Sequence, residues 1–392
     1  MPYKRVLMLA NFSRRGNERP AYICDLINNI SRISCGSIIM DVIVGAQGAN
    51  VDKSEVIVDG IYKVTPNLLS RLILKIPRIR VFCWNFLKET LLKKIVNDRK
   101  YDLAVIHYMP SDSQRLISIC HAAGVKVLLF PWGSEVLRVT PKLSRKLKNA
   151  FETSDFIRGD NEQFKQSLIK KYPTINSTHF VPLTYASPGI SMIDSLKNRL
   201  TKEEMANALN LPKDRYYIIC GYNAGKGQQH KAIIERIAKI QKFLPDNYLL
   251  LFPVTSGQKY GIKSIEIKSW CDSFGLRHLC LNSYLTDYQM ACLHLISDLF
   301  IHVQVTDLAN SFIMESVYAG TKVINGSWLH YSDLERYGKP YYTCDSLDDL
   351  PDIIIDAIND KKGMSVSEHL QSFFQQNTWP FVSKQWVDFI LS

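Results

Sequence analysis

Apolar and polar positions along the chain alternate between two periods. Short runs that are apolar on both sides, such as those over 5–10, 37–44, 103–108 and 125–131, read as strands buried on both faces. Stretches with helical spacing over 22–33 and 113–123 lie between them. Strand, helix and strand in this order predict a parallel sheet with crossover helices, that is, one Rossmann-like domain. A polar stretch containing Pro and Ser runs from Thr184 to Leu200 and reads as a linker. The pattern then restarts, with strands expected over 216–222, 248–254, 299–303 and 322–325 and helices over 229–243, 265–274 and 312–319. Gly320 closes the last of these helices. The end of the chain, with Trp379, Phe381, Trp386 and Phe389, is too aromatic for a free terminus and is expected as a packed helix across the domains. The expected division is 1–195, 196–375 and a terminal helix over 376–392.

Length agrees with two cores, since 392 residues exceed what one core usually supports. The hydrophobic fraction of 46% and charged fraction of 22% are those of a globular protein rather than a disordered one. No apolar run is long enough to span a bilayer, and the start does not read as a signal peptide. A cytoplasmic location follows as the expectation. The nine cysteines are odd in number, show no CxxC pairing and read as reduced core residues.

Charge changes the picture through its distribution. Residues 1–190 hold 28 Lys and Arg against 15 Asp and Glu, a net of +13, whereas the remainder holds 20 against 22. A basic first half can meet nucleic acid, an anionic membrane surface or a pyrophosphate-linked acceptor. Nucleic acid is disfavoured, because the aromatics lie in apolar runs rather than on a basic stacking surface.

In a doubly wound sheet ligands sit beyond the carboxyl ends of the strands, so the loops there are the places to look for chemistry. GYNAGKGQQHK, 221–231, combines glycines, a helix start, and Asn223, Lys226, His230 and Lys231, a set suited to a diphosphate; an ordinary tight turn is the alternative. In 303–324, Asp307 stands at a strand end and Glu315 in the next helix, with seven residues between them. Two carboxylates so placed can accept hydrogen bonds from vicinal sugar hydroxyls, or can serve only as helix caps. FPWGSEVLR, 130–138, carries Trp132, Gly133 and Glu135 after another strand. The segment SRLILKIPRIRVFCWNFLKETLLKK, 70–94, interleaves basic and apolar residues; it suits an anionic leaflet, or else a core helix with snorkelling basic side chains.

Together and in this order, PWGSE, GYNAGKG and Asp307 through MESVYAGTKVI resemble the HGSD-like turn, the GR...KG phosphate loop and the E-x7-E segment of retaining glycosyltransferases of family 4. The first acid is here an aspartate, Tyr222 or Asn223 stands where the family has arginine, and Trp132 replaces its histidine. The wording GYN...QQH also resembles enterobacterial 4-acetamido-fucosamine transferases, which leaves inversion open beside retention. The resemblance implies the GT-B architecture: two Rossmann-like doubly wound α/β domains facing a cleft, the first for the acceptor and the second for a nucleotide-sugar donor. It implies a hexosyltransferase that is retaining and acts in O-antigen or capsule-type polysaccharide assembly; no DxD-type metal pair stands in a candidate loop, so the expectation is that no metal and no cofactor is needed. The acceptor would be a glycan or an undecaprenyl-diphosphate-linked sugar, met at the inner face of the plasma membrane. By resemblance Glu315 would hold the ribose, Asp307 with Asn310 and Ser311 the donor sugar or phosphate, and Asn223, Lys226, His230 or Lys231 the diphosphate. Tyr284 and Thr286 would lie near the base, and Glu135, Trp132, Gly133 and the loop with Arg14, Gly16 and Asn17 would face the acceptor. Two other readings share the architecture: a sugar-nucleotide epimerase, and a non-catalytic binding or assembly protein on a degenerate transferase fold.

Overall fold

The computed structural model describes residues 3–10, 22–44, 54–77, 79–133, 139–256, 261–307, 310–361 and 367–392. Its contacts form two compact units, Met1–Tyr185 together with Trp379–Ser392, and Ala186–Thr378.

The first unit holds strands β1 (Lys4–Ala10), β2 (Ile38–Val44), β3 (Gly60–Lys63), β4 (Leu103–His107), β5 (Lys126–Phe130), β6 (Phe156–Arg158) and β7 (Phe180–Val181) in the order β3-β2-β1-β4-β5-β6-β7. All pairs are parallel, with Val6 level with both Met40 and Leu103. Val6, Leu7 and Met8 are wholly buried, as a strand covered on both faces requires. The direction of winding reverses between β1 and β4, which is the topological switch point of this sheet.

The second unit repeats the plan with β8 (Tyr216–Cys220), β9 (Tyr248–Pro253), β10 (His278–Leu281), β11 (Leu299–His302), β12 (Lys322–Gly326) and β13 (Tyr342–Cys344), ordered β10-β9-β8-β11-β12-β13. Its switch point lies between β8 and β11. Cys220 is level with Ile301, and Ile301 with Ile324, so the loops after β8, β11 and β12 leave the sheet along one edge. Ile219, Ile301 and Ile324 are fully buried, each contributing about 2 kcal/mol of burial.

Two stretches differ from the sequence expectation. The polar run after Thr184 is mostly a helix, Pro188–Leu196, whose Ile190 and Ile193 are wholly buried in the second unit. Its Ser187 and Pro188 start a helix rather than break one, because proline at the first helical position gives up an N–H that has no partner there. The chain therefore passes into the second unit at Ala186, not at 196. At the other end the helix Trp379–Leu391 returns to the first unit, where Trp386 is fully buried and Trp379 stacks on Tyr22 with ring centroids 5.2 Å apart. All nine cysteines are free, and seven of them are buried.

Candidate functional site

The second switch point gathers the residues with chemical potential. Gly221 follows β8 directly, and its φ of +69° turns the chain sharply. A side chain there would meet His230 Cε1 at 2.8 Å and Gln228 Oε1 at 2.9 Å, so only glycine admits the loop. Asn223 Oδ1 accepts from the Gly225 backbone N–H at 2.7 Å and shapes the loop from within. Gln229, at φ +62°, is the last residue before the helix His230–Lys239. A non-glycine residue in this left-handed conformation costs about 1–2 kcal/mol, and its side chain is anchored by donating to the Val303 carbonyl at 2.5 Å.

Hydrogen bonds join this loop to its neighbours. The buried Gln304, after β11, accepts from Gln228 Nε2 at 2.8 Å and donates to the Tyr222 hydroxyl at 3.2 Å. Its own carbonyl accepts from Trp328 Nε1, after β12, at 2.7 Å. Val305 N–H donates to the Gly227 carbonyl at 2.9 Å. Tyr222 stacks on Phe312, the first buried residue of the helix Ser311–Ala319, at 5.6 Å. Three loops from adjacent strands thus form one braced surface.

Asp307 sits on this surface, with its Oδ2 accepting from Asn310 Nδ2 at 3.0 Å and from the Tyr331 hydroxyl at 2.9 Å. His302 Nε2 lies 2.7 Å from the same hydroxyl and 3.5 Å from Asp307 Oδ2. Because Tyr331 donates to the carboxylate, its oxygen accepts from His302, which assigns the His302 proton to Nε2. Burial first, and then Asp307, push the Tyr331 phenol well above its usual range, so it remains a donor. Asn310 also caps the helix, accepting from Phe312 N–H at 2.8 Å, and Ser311 is exposed beside it.

Glu315 is 5% exposed. Oε1 accepts from Ser187 Oγ at 2.5 Å, and Oε2 lies 3.2 Å from His294 Nε2. A Cβ on Gly189 would fall 2.3–2.6 Å from this carboxyl, so glycine at the start of the helix Pro188–Leu196 is what lets the acid approach. The negative group lies at a helix N-terminus, where the dipole favours it.

The remaining expected residues are distributed unevenly. Lys226 is exposed on the loop and forms no ion pair among the described residues. His230 is wholly buried; its Nε2 lies 2.8 Å from the Asn223 carbonyl and burial lowers its pKa, so it is a neutral prop inside the loop instead of a cation on it. Lys231 points along the outside of its helix, 3.9 Å from Glu235 and over the Trp270 ring. Thr286 caps the helix Asp287–Ile296 in a capping box with Gln289, and Tyr284 is 39% exposed in the same loop. Arg14, Gly16, Asn17 and Glu135 lie outside the described residues. Trp132, 40% exposed, packs on Tyr185 at 4.9 Å and Tyr22 at 5.6 Å, and Gly133 turns at φ +101°.

In the first unit a pocket of about 210 Å³ opens at the carboxyl ends of β1, β2 and β4, again at a switch point. It is lined by His107, Tyr108, Trp84, Asn85 and Lys88 among others. His107 is 4% exposed, packs on Phe130 and stacks parallel to Trp386, and neither ring nitrogen has a hydrogen-bond partner. Desolvation lowers its pKa to about 3. Lys88 is paired with Asp112 at 2.7 Å. Sequence reasoning passed over this histidine, although a polar residue ending an apolar strand was the signal available. It passed over Gln304, His302 and Tyr331 as well. Among the described residues no cluster of three or more His, Cys, Asp or Glu could hold a metal ion, and no helix is long and apolar enough to cross a membrane.

Two parallel doubly wound sheets in sequence define the fold class, and the comparisons agree with it. No protein-family model and no curated protein sequence matches the chain. Solved structures do. A glycosyltransferase from Rickettsia africae superposes with a TM-score of 0.70 at 13% identity, covering 99% of this chain and 98% of that one. HepE of Anabaena, determined with UDP and glucose, gives 0.66 at 14% over 99% and 100%. WaaG, a glycosyltransferase involved in lipopolysaccharide biosynthesis, gives 0.65 at 13% over 98% and 99%. The chain has the GT-B fold.

Proposed function

We propose that the protein is a glycosyltransferase that takes a sugar from a nucleotide donor bound on the second unit and passes it to an acceptor bound on the first. The observation that carries the reading is the braced surface at the second switch point. There, two helix starts, an exposed lysine and two held carboxylates share one sheet edge. The fold likeness to a structure holding UDP and glucose supports the same reading.

In this reading the diphosphate lies against the Asn223–Gly227 loop and the N-termini of the helices His230–Lys239 and Ser311–Ala319. Free N–H groups and Lys226 then take up the charge that develops as the glycosidic bond to phosphate breaks. Asp307, oriented by His302 and Tyr331, accepts from sugar hydroxyls, and Glu315 accepts from the ribose with its remaining lone pairs. Tyr284 stands beside the base. The first-unit pocket takes the acceptor, whose hydroxyls meet the exposed Tyr108 and the half-buried Asn85 of its lining. The reaction is read as metal-independent and retaining, on a lipid-linked acceptor in cell-surface polysaccharide assembly at the inner face of the plasma membrane.

Thermal-shift measurement against UDP-, GDP- and dTDP-sugars tests the donor half, because a ligand bound to the folded state raises its melting temperature. One nucleotide class should stabilise the protein, and Asp307→Ala and Glu315→Ala should each abolish transfer of the sugar to acceptor and the accompanying release of free nucleoside diphosphate. Absence of stabilisation by every class would refute the assignment.

A further inference from the structure

The segment from Pro66 to Phe86 is exposed to a degree that packing does not explain. The helix Leu68–Ile73 buries no residue, and Leu68, Leu69 and Leu72 are 78%, 66% and 55% exposed. Ile76 follows at 48%, and Ile79, Phe82 and Phe86 form an i, i+3, i+7 stripe, 41–65% exposed, along the start of the helix Arg80–Asp98. Eight of the large apolar residues that the structure leaves exposed fall within these nineteen positions, 68–86. Between Asp59 and Glu89 the sequence has six lysines and arginines and no acid. Such a run repels a basic partner and lacks the mixed charge that rims a surface pairing with its own copy. Lys88 among these cations is paired with Asp112; apolar side chains set among the remaining cations match the interface of an anionic bilayer, where the chains enter the acyl boundary and the cations meet headgroups.

The farther part of the same long helix behaves differently. Leu92, Ile95 and Val96 are buried, so only the first two turns and the preceding short helix are available, a narrower element than 70–94. Trp84, Asn85 and Lys88, on the helix whose residues 79, 82 and 86 are exposed, line the His107 pocket.

We infer that 66–86 is a membrane-docking element that inserts Leu68, Leu69, Leu72, Phe82 and Phe86 into an anionic leaflet and holds the adjoining pocket at headgroup level. An acceptor tethered to lipid through a phosphate-bearing head could then enter the pocket without leaving the membrane. Docking does not depend on the donor assignment and is measured without any nucleotide.

The full chain is sedimented with phosphatidylcholine vesicles with and without phosphatidylglycerol, at low and high salt. Binding should require the anionic lipid and weaken with salt. Phe82→Ser with Phe86→Ser should lower the partition coefficient at least about tenfold. Arg71→Glu with Arg80→Glu should lower it about fivefold for each charge lost. Phe243→Ser, at a 54% exposed phenylalanine of the second unit, should leave it unchanged. The substituted side chains are exposed, so melting temperatures should match the parent. Vesicle binding that is absent under all conditions, unchanged in the Phe82/Phe86 variant, or replaced by a dimer which that variant dissolves would overturn the inference.

Discussion

Replacing His107 by leucine separates the chemistry of the first-unit pocket from its packing. The ring is buried and its folded-state pKa is lowered to about 3 by desolvation, against an ordinary value of 6.5. A lowered histidine pKa means that the unfolded chain binds the proton more readily, so stability is complete above about pH 6.5 and declines as the pH falls toward 3. From pH 7.5 to pH 5.0 the linkage relation gives a loss of about 2 kcal/mol from this one group. For units of this size that corresponds to roughly 4–8 °C of melting temperature. The leucine variant lacks the group, and at pH 7.5 it also removes two unpartnered buried nitrogens, so it should melt no lower than the parent. Calorimetry of both proteins at the two pH values should therefore show the parent losing about 4–8 °C more than the variant. Equal losses would refute the argument that the ring is held neutral. If the pocket receives the acceptor, transfer falls in this variant while stabilisation by the donor nucleotide is untouched.

Other outcomes follow from the donor surface. Lys226→Ala should leave stability within about 0.5 kcal/mol and weaken nucleotide binding about tenfold, as titration calorimetry would show, whereas His230→Ala should lower the melting temperature, since it removes a buried prop. Gln304→Leu leaves Gln228 and Tyr222 without their shared partner; a destabilisation of about 1–3 kcal/mol in urea unfolding is expected, together with weaker donor binding. Gly189→Ala places a methyl against the Glu315 carboxyl and should destabilise the second unit by about 1–3 kcal/mol, an effect that Glu315→Gly in the same chain should partly relieve. Transfer assayed in the presence of EDTA should match transfer without it.

Much of this arrangement was legible in the chain because local pattern dictates it. Strands buried on both faces read as unbroken apolar runs, and β1, β2, β4, β5, β8, β9, β11 and β12 all agree with the expected positions to within two residues. The shortest strands, β6, β7 and β13, were missed: two or three residues show no period, and pairing in the sheet is what makes them strands. The helix Pro188–Leu196 was mistaken for a linker because proline and serine mark helix starts as well as breaks. The GYNAGKG loop and the pair Asp307 and Glu315 stood out because glycine and carboxylate are conspicuous after an apolar strand. Their partners did not stand out, since Ser187 reaches Glu315 across 128 positions and Tyr331 reaches Asp307 across 24. No window along the chain contains such a pairing.

The way the two carboxylates are held bears on whether they serve as helix caps alone. Neither fills the N-cap position of the Ser311–Ala319 helix, since Asn310 does so with its own side chain. Asp307 is instead gripped by a tyrosine whose phenol is held protonated by burial and which itself accepts from a buried histidine. Glu315 is admitted by a glycine and met by a serine and a histidine. Burying a carboxylate is costly unless it is hydrogen-bonded, and a chain needing only helix stability could place leucine at 315 at no such expense. Glu315→Leu distinguishes the two possibilities. In either case the variant loses about 1–3 kcal/mol of stability, because the buried Ser187 and His294 lose their shared acceptor. If the acid is only structural, the variant that is still folded binds nucleotide as the parent does; if it binds the donor, the folded variant has lost its nucleotide affinity. The second outcome is expected, and nucleotide titration under conditions where urea unfolding shows the variant folded would refute it by returning the parent's affinity.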